Sequence, residues 1–186
     1  MKRLVVLAAA ALLAGCSGNA PPSTQTVRST TSISTTGMEG SATTTIDSYS
    51  DVGGSSHQVA AAPDRVWEVM PAVYQGLGIA VGTSLPDSKT IGNVRLDLNR
   101  VLAGQPLSTF VNCGEGPTGT PVADSYRVTM ALLTTLAPAG NGATRVETRV
   151  NASAVNRAVS GARVNCATTG RLEALIAERI KNQTGA

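Results

Sequence analysis

The stretch YRVTMALLTTLAPAGNGATRVETRVNA (126–152) decides the fold. Its first half alternates strictly: Tyr126, Val128, Met130, Leu132 and Leu136 share one face. Its second half alternates too, with Val146, Thr148, Val150 and Ala152 on one side and Arg145, Glu147, Arg149 and Asn151 on the other. A period of two puts successive side chains on opposite faces of a strand, so each half reads as a strand buried on one face only. Between them Pro138-Ala139-Gly140-Asn141-Gly142 is a hairpin loop. The charged outer face says that this hairpin covers a core with one side and meets water with the other.

Moving toward the C-terminus, a polar connection leads to Cys166, immediately before a last helix over about 168–182. Leu172, Leu175, Ile176 and Ile180 form its apolar stripe, and Glu173, Glu178 and Lys181 are expected in solvent. Moving toward the N-terminus, residues 114–121 (GEGPTGTP) are a loop, and PLSTFVN (106–112) is a strand running into Cys113. Val94, Leu96 and Leu98 alternate with Asn93, Arg95, Asp97 and Asn99 as a half-buried strand, with Gly92 marking a bulge before it. Residues 79–85 form another strand, and Pro86-Asp87-Ser88-Lys89 make the turn between the two.

Pro63-Asp64 starts a helix that Gly78 ends. Val66, Met70, Val73 and Leu77 make its stripe, flanked by Trp67 and Tyr74, and Trp67 is expected to anchor it to the sheet. Pro71 lacks an amide hydrogen and crowds the preceding turn, so a kink or break is expected there. Before this helix, Gly53-Gly54 lies between the β-prone runs 43–52 and 55–61 and reads as a hairpin. The sum is an α+β domain over 43–183: one antiparallel sheet of about five or six strands with two helices packed on one face.

Residues 17–42 are rich in Ser, Thr, Gly and Pro, with few apolar residues and no period. Such a chain buries too little surface to offset ordering and is expected to be a disordered spacer, reaching about 25–30 Å. Upstream, Lys2 and Arg3 precede an apolar run from Leu4 to Ala14 of 11 residues. That is short of the about 20 a membrane-crossing helix needs, so residues 1–15 read as a signal segment.

The run ends in Leu13-Ala14-Gly15-Cys16, which resembles the lipobox of bacterial lipoproteins. The resemblance implies lipid on Cys16, which becomes the N-terminus of residues 16–42, and a membrane attachment through that lipid. Ser17, where the enterobacterial sorting pattern has Asp for inner-membrane retention, implies the periplasmic face of an outer membrane. An ordinary signal peptide with an incidental cysteine is the alternative.

Removing residues 1–15 also changes the charge. The whole chain has 15 Lys+Arg and 12 Asp+Glu; without Lys2 and Arg3 the balance is 13 against 12. With no dense basic run and 3% aromatics, a nucleic-acid footprint is not expected. Assigning Cys16 to lipid leaves Cys113 and Cys166 as an even pair, for which one disulfide is expected in an oxidising compartment. Two free buried thiols or a metal site remain open, the latter short of soft ligands.

Catalytic signatures are not evident. His57 is the only histidine and sits on a strand face with Val59 and Ala61, where a satisfied, half-buried side chain is expected. Glu115 in the 114–121 loop is expected to be a solvated side chain, and that loop lacks the Lys-Ser/Thr of a phosphate loop. No catalytic residue, cofactor or metal is assigned.

The order hairpin–helix–strands–helix is similar to a helix-grip arrangement. Within it VAAAPDRVW (59–67) resembles the opening of START/polyketide-cyclase-like domains, which implies a hydrophobic ligand between sheet and long helix. Lipobox, spacer and such a domain together resemble the BamC-like envelope lipoproteins, which implies an accessory subunit working through protein contacts. The expectation is a non-enzymatic envelope lipoprotein with a protein partner, the alternatives being carriage of a hydrophobic small molecule or lipid and a hydrolase with a dispersed site.

Overall fold

A computed structural model describes residues 26–37, 40–51, 55–156 and 163–186. The elements in order are β1 (Thr26–Gly37), β2 (Gly40–Asp51), β3 (Ser55–Val59), α1 (Pro63–Gly76), β4 (Thr83–Leu85), β5 (Thr90–Asn99), β6 (Val101–Leu102) and β7 (Gln105–Pro106). A 3-10 turn (Leu107–Thr109) leads to β8 (Val111–Asn112), then α2 (Val122–Ser125), β9 (Arg127–Pro138), β10 (Thr144–Val155), β11 (Arg163–Thr168) and α3 (Arg171–Thr184).

The protein is α+β. Its main sheet is antiparallel, ordered β4-β5-β9-β10-β11-β8, with β3 as a seventh strand sharing the far edge of β10. The β9–β10 hairpin is its spine, in continuous register from Thr144 opposite Pro138 to Val155 opposite Arg127. Both strands alternate as their sequence requires: Val128, Met130, Leu132, Thr134 and Leu136 are buried, as are Thr144, Val146, Thr148, Val150 and Ala154. The loop closes through Ala139 donating to the Ala143 carbonyl at 2.9 Å, with Asn141 at a positive φ of 48°. The strand count exceeds five or six because two edge strands, β4 and β8, are only three and two residues long. Pieces that short carry no readable period in sequence.

Helices α1 and α3 pack on the inner face and on each other. Leu172, Ile176 and Ile180 are fully buried on α3, each such side chain contributing about 1.5–3 kcal/mol by leaving water. On α1 the buried stripe is Val66, Met70, Val73 and Tyr74. The helix runs unbroken through Pro71, so the expected break is absent. The anchor is also different. Trp67 is only partly buried, with the Lys89 ammonium 5.9 Å from its ring, whereas Tyr74 reaches the sheet through its hydroxyl. A phenol satisfies a buried polar site that an indole at a helix flank does not reach. Glu173 differs too: it is fully buried and accepts a 2.6 Å hydrogen bond from the Thr168 hydroxyl. Its first-turn position, where a carboxylate is favoured, folds it back over the end of β11.

Three strand expectations are revised. Residues 79–82 are not a strand; only Thr83–Leu85 pair with β5. The bulge falls after Gly92, since the register slips between Asn93 and Leu96, leaving Val94 and Arg95 opposite Ala131. That slip switches the inward parity of β5 from Ile91 to Leu96 and turns Val94 out to 61% exposure. The run 106–112 is divided between β7, the 3-10 turn and β8.

Gly92 has a different task. A Cβ built on it would stand 2.0 Å from the Leu132 carbonyl oxygen, so β5 and β9 approach here in a way only glycine allows.

At the N-terminal side, β3 pairs with β10 rather than with the preceding strand, and β2 pairs with β1. Residues 52–54, including Gly53-Gly54, lie outside the described residues. The antiparallel pair β1–β2 covers part of the stretch read as a spacer. Its Ser/Thr-rich run has β-branched residues at high density, which favour extended pairing without an apolar face. Residues 1–25, with the signal segment and Cys16, lie outside the described residues.

Candidate functional site

Cys113 and Cys166 are joined, with S–S 2.01 Å and Cα–Cα 4.1 Å. Cys166 lies within β11 and Cys113 follows β8 directly, one step beyond the Ala167–Asn112 pair. The bond therefore staples the short edge strand β8 to its neighbour β11. Both sulfurs are buried, Cys166 with its Sγ 3.8 Å from the Val164 carbonyl.

His57 occupies β3 opposite Val146, on the inward face beside Val59. It is half-buried, and its Nε2 is buried without a hydrogen-bond partner among the described residues, so the expectation of a satisfied ring is not met. Burial, and secondarily the Lys181 ammonium, hold its pKa below the ordinary 6.5. A neutral imidazole wedged between β3 and α3 can serve packing, and no carboxylate hydrogen-bonds it among the described residues. Glu115 is exposed on the loop, where its backbone bridges Pro121. Among the described residues no three of His, Cys, Asp and Glu converge as a metal site.

What the fold does assemble is the helix-free face of the sheet. Two depressions lie on or beside it. One, about 390 Å³, is lined by Val94, Ala131, Asn151, Ser153, Arg163 and Asn165 among others. Register explains the polar row: Ser153 pairs with Thr129 on one side and Asn165 on the other, so all three point outward together. Val94 joins them because the bulge turned it out. The second, about 340 Å³, is lined by Asn99, Arg100, Ser125, Tyr126, Arg127, Val155 and Asn156. Neither lies between helices and sheet, where the helix-grip resemblance would put a hydrophobic ligand. That interior is occupied by Met70, Tyr74, Met130, Leu132, Leu172 and Ile176, all fully buried.

Sequence reading missed this face. Alternation marked Asn99 and Asn151 as outward but placed Val94 inward, and which outward residues meet depends on register across four strands. Compared with family models, curated proteins and solved structures, the chain matches none.

Proposed function

We propose that the protein is a lipid-anchored envelope module that works through protein contacts, without catalysis, on the outer-membrane face of the periplasm. The observation that carries this reading is the division of the three cysteines. Cys113 and Cys166 take each other, which leaves Cys16, at the end of Leu13-Ala14-Gly15-Cys16, as the cysteine available for lipid. A disulfide persists in an oxidising compartment, and that supports export. One acyl chain binds a membrane weakly and two or more hold stably, so a lipoprotein-type anchor would keep the domain at the surface. No helix among the described residues is long and apolar enough to cross a membrane.

The contact surface proposed is the helix-free face around Val94, a large apolar side chain set among Asn and Ser. An apolar anchor with a polar surround is the pattern of a contact centre.

The test uses the full chain in an envelope-bearing bacterium. Cys16→Ser is expected to release the protein from membranes; if it stays bound after salt washing, the anchor is rejected. A photo-crosslinking residue at Val94 is expected to give a discrete adduct that the same residue at Arg65, on α1, does not give. Equal or absent adducts at both positions would reject the contact face.

A further inference from the structure

At one end of the sheet, register lines up a row of residues across four strands. Asn99 on β5 faces Arg127 on β9, Arg127 faces Val155 on β10, and Val155 faces Arg163 on β11. Two guanidinium groups thus flank Val155 on the helix-free face. A third, Arg100, directly follows β5 and lines the same depression as Arg127. Arg163 lines the neighbouring depression on the other side of Val155.

Two other arginines of the molecule have a carboxylate partner. Arg65 is paired with Glu68 at 3.4 Å and Arg149 with Glu147 at 2.6 Å. Among the described residues no carboxylate lies within ion-pair distance of Arg100, Arg127 or Arg163. The nearby acids are committed elsewhere: Asp97 accepts from Thr129 at 2.9 Å and Asp124 from Ser108 at 2.6 Å. Cations placed together without counter-charge repel one another, and the repulsion is relieved when an anion enters.

Two details make this a built arrangement rather than a scatter of surface charge. The Arg127 Nε is buried and meets no acceptor among the described residues. Its stem is packed into the wall, so the fork is held with little rotamer freedom to lose on binding. Arg100 sits at φ +62°, a left-handed backbone that side chains other than Asn and Asp seldom adopt. Its carbonyl accepts from Leu107 N at 2.8 Å, which closes the base of the β6–β7 hairpin and fixes the backbone at Arg100. Non-glycine residues in that conformation concentrate at binding sites, where surrounding structure holds them.

We propose that this end of the sheet binds a phosphate group, with Arg100 and Arg127 as the fork and Arg163 as the outer cation. Guanidinium geometry matches phosphate oxygens in pairs, and Tyr126 lines the same depression. At about 340 Å³ the depression admits a phosphomonoester head and its first attached group, not a large ligand. The phosphate can belong to a soluble molecule or to an anionic lipid head; the chemistry of recognition is the same. The site does not depend on the Cys16 anchor; Arg163 also lines the depression that holds Val94, whereas Arg100 and Arg127 do not.

The experiment takes the full chain carrying Cys16→Ser and titrates inorganic phosphate by calorimetry, against chloride at equal ionic strength. Saturable heat with phosphate alone is expected. Arg127→Gln and, independently, the exposed Arg163→Gln are each expected to weaken it about tenfold, while Arg149→Gln, whose side chain is already paired with Glu147, leaves it unchanged. Arg163→Gln keeps the test decisive if Arg127→Gln proves unstable. Vesicles containing phosphatidic acid, whose head is a phosphomonoester, are compared with vesicles of phosphatidylcholine to separate the sources. Preferential binding to the first, lost in Arg163→Gln, assigns a lipid head, and phosphate binding without vesicle binding assigns a soluble ligand. No saturable phosphate heat, or equal losses in Arg149→Gln and Arg163→Gln, would overturn the proposal.

Discussion

The Tyr74 hydroxyl lies 2.9 Å from the Thr134 hydroxyl, joining the last turn of α1 to β9 across the core. Thr134 in turn meets the Thr148 hydroxyl at 2.9 Å on β10, and Tyr74 also donates to the Ile91 carbonyl at 3.3 Å on β5. One helix residue thus connects three strands through a buried polar chain: Tyr74 gives its proton to Ile91 and takes from Thr134, which takes from Thr148.

Tyr74→Phe removes one end of that chain and leaves Thr134 with Thr148 alone. The expected loss is about 1–2 kcal/mol of unfolding free energy, measured by urea denaturation. Thr134→Val is expected to cost at least as much, because it takes a partner from both neighbours, leaving Tyr74 with the Ile91 carbonyl alone and Thr148 outside the chain. No loss in either variant would show that the chain does not hold α1.

Burial also raises the Tyr74 pKa from 10.0 to about 12, a shift that the Thr134 hydrogen bond opposes. The folded state therefore keeps a proton that the unfolded state releases above pH 10. This contribution is whole below pH 10 and is lost as pH rises toward 12, at most about 3 kcal/mol from two units of about 1.4 each. Stability in alkali should fall more steeply in the natural chain than in Tyr74→Phe, which lacks the titrating group.

His57 acts at the other end of the scale. Its folded pKa is lowered, so below 6.5 the unfolded state binds a proton that the folded state resists. Its contribution is present above pH 6.5 and fades as pH falls through the lowered folded value. Denaturation midpoints measured downward from pH 7 should decline, and His57→Phe should flatten that part of the decline.

Reducing or replacing Cys113 and Cys166 opens a loop whose ends stand 53 positions apart in the chain. The chain-entropy relation sets an upper loss of about 4 kcal/mol. A double Ser variant that unfolds at the same denaturant concentration as the oxidised chain would remove the bond from the account of stability. Mass spectrometry without reductant is expected to find the two cysteines linked.

Gly92→Ala drives a methyl group into the Leu132 carbonyl. Since the close approach is backbone against backbone, no side-chain rotation relieves it. A loss of about 3 kcal/mol or more is expected, with the β5–β9 register disturbed. Gly104→Ala, where a Cβ meets open space but φ is positive at 75°, should cost less.

Some of the molecule was legible without coordinates. The α+β class, the 126–152 hairpin and the apolar stripes of α1 and α3 follow from side-chain period, a local property that one strand or helix carries by itself. Other features depend on residues far apart in the chain. Trp67 outranks Tyr74 in size, but only the placement of Thr134 and Ile91 makes Tyr74 the tie to the sheet. Glu173 looks like a solvated helix residue until Thr168 folds against it. Val94 belongs to an inward alternation until a two-residue bulge turns it outward. The meeting of Arg127, Val155 and Arg163 is a matter of inter-strand register. Period is written in neighbours, whereas register and close approach are settled by which strands pair and where a bulge shifts them. The sequence by itself therefore determined the elements and their buried faces. Only the tertiary structure decided what the outer face brings together.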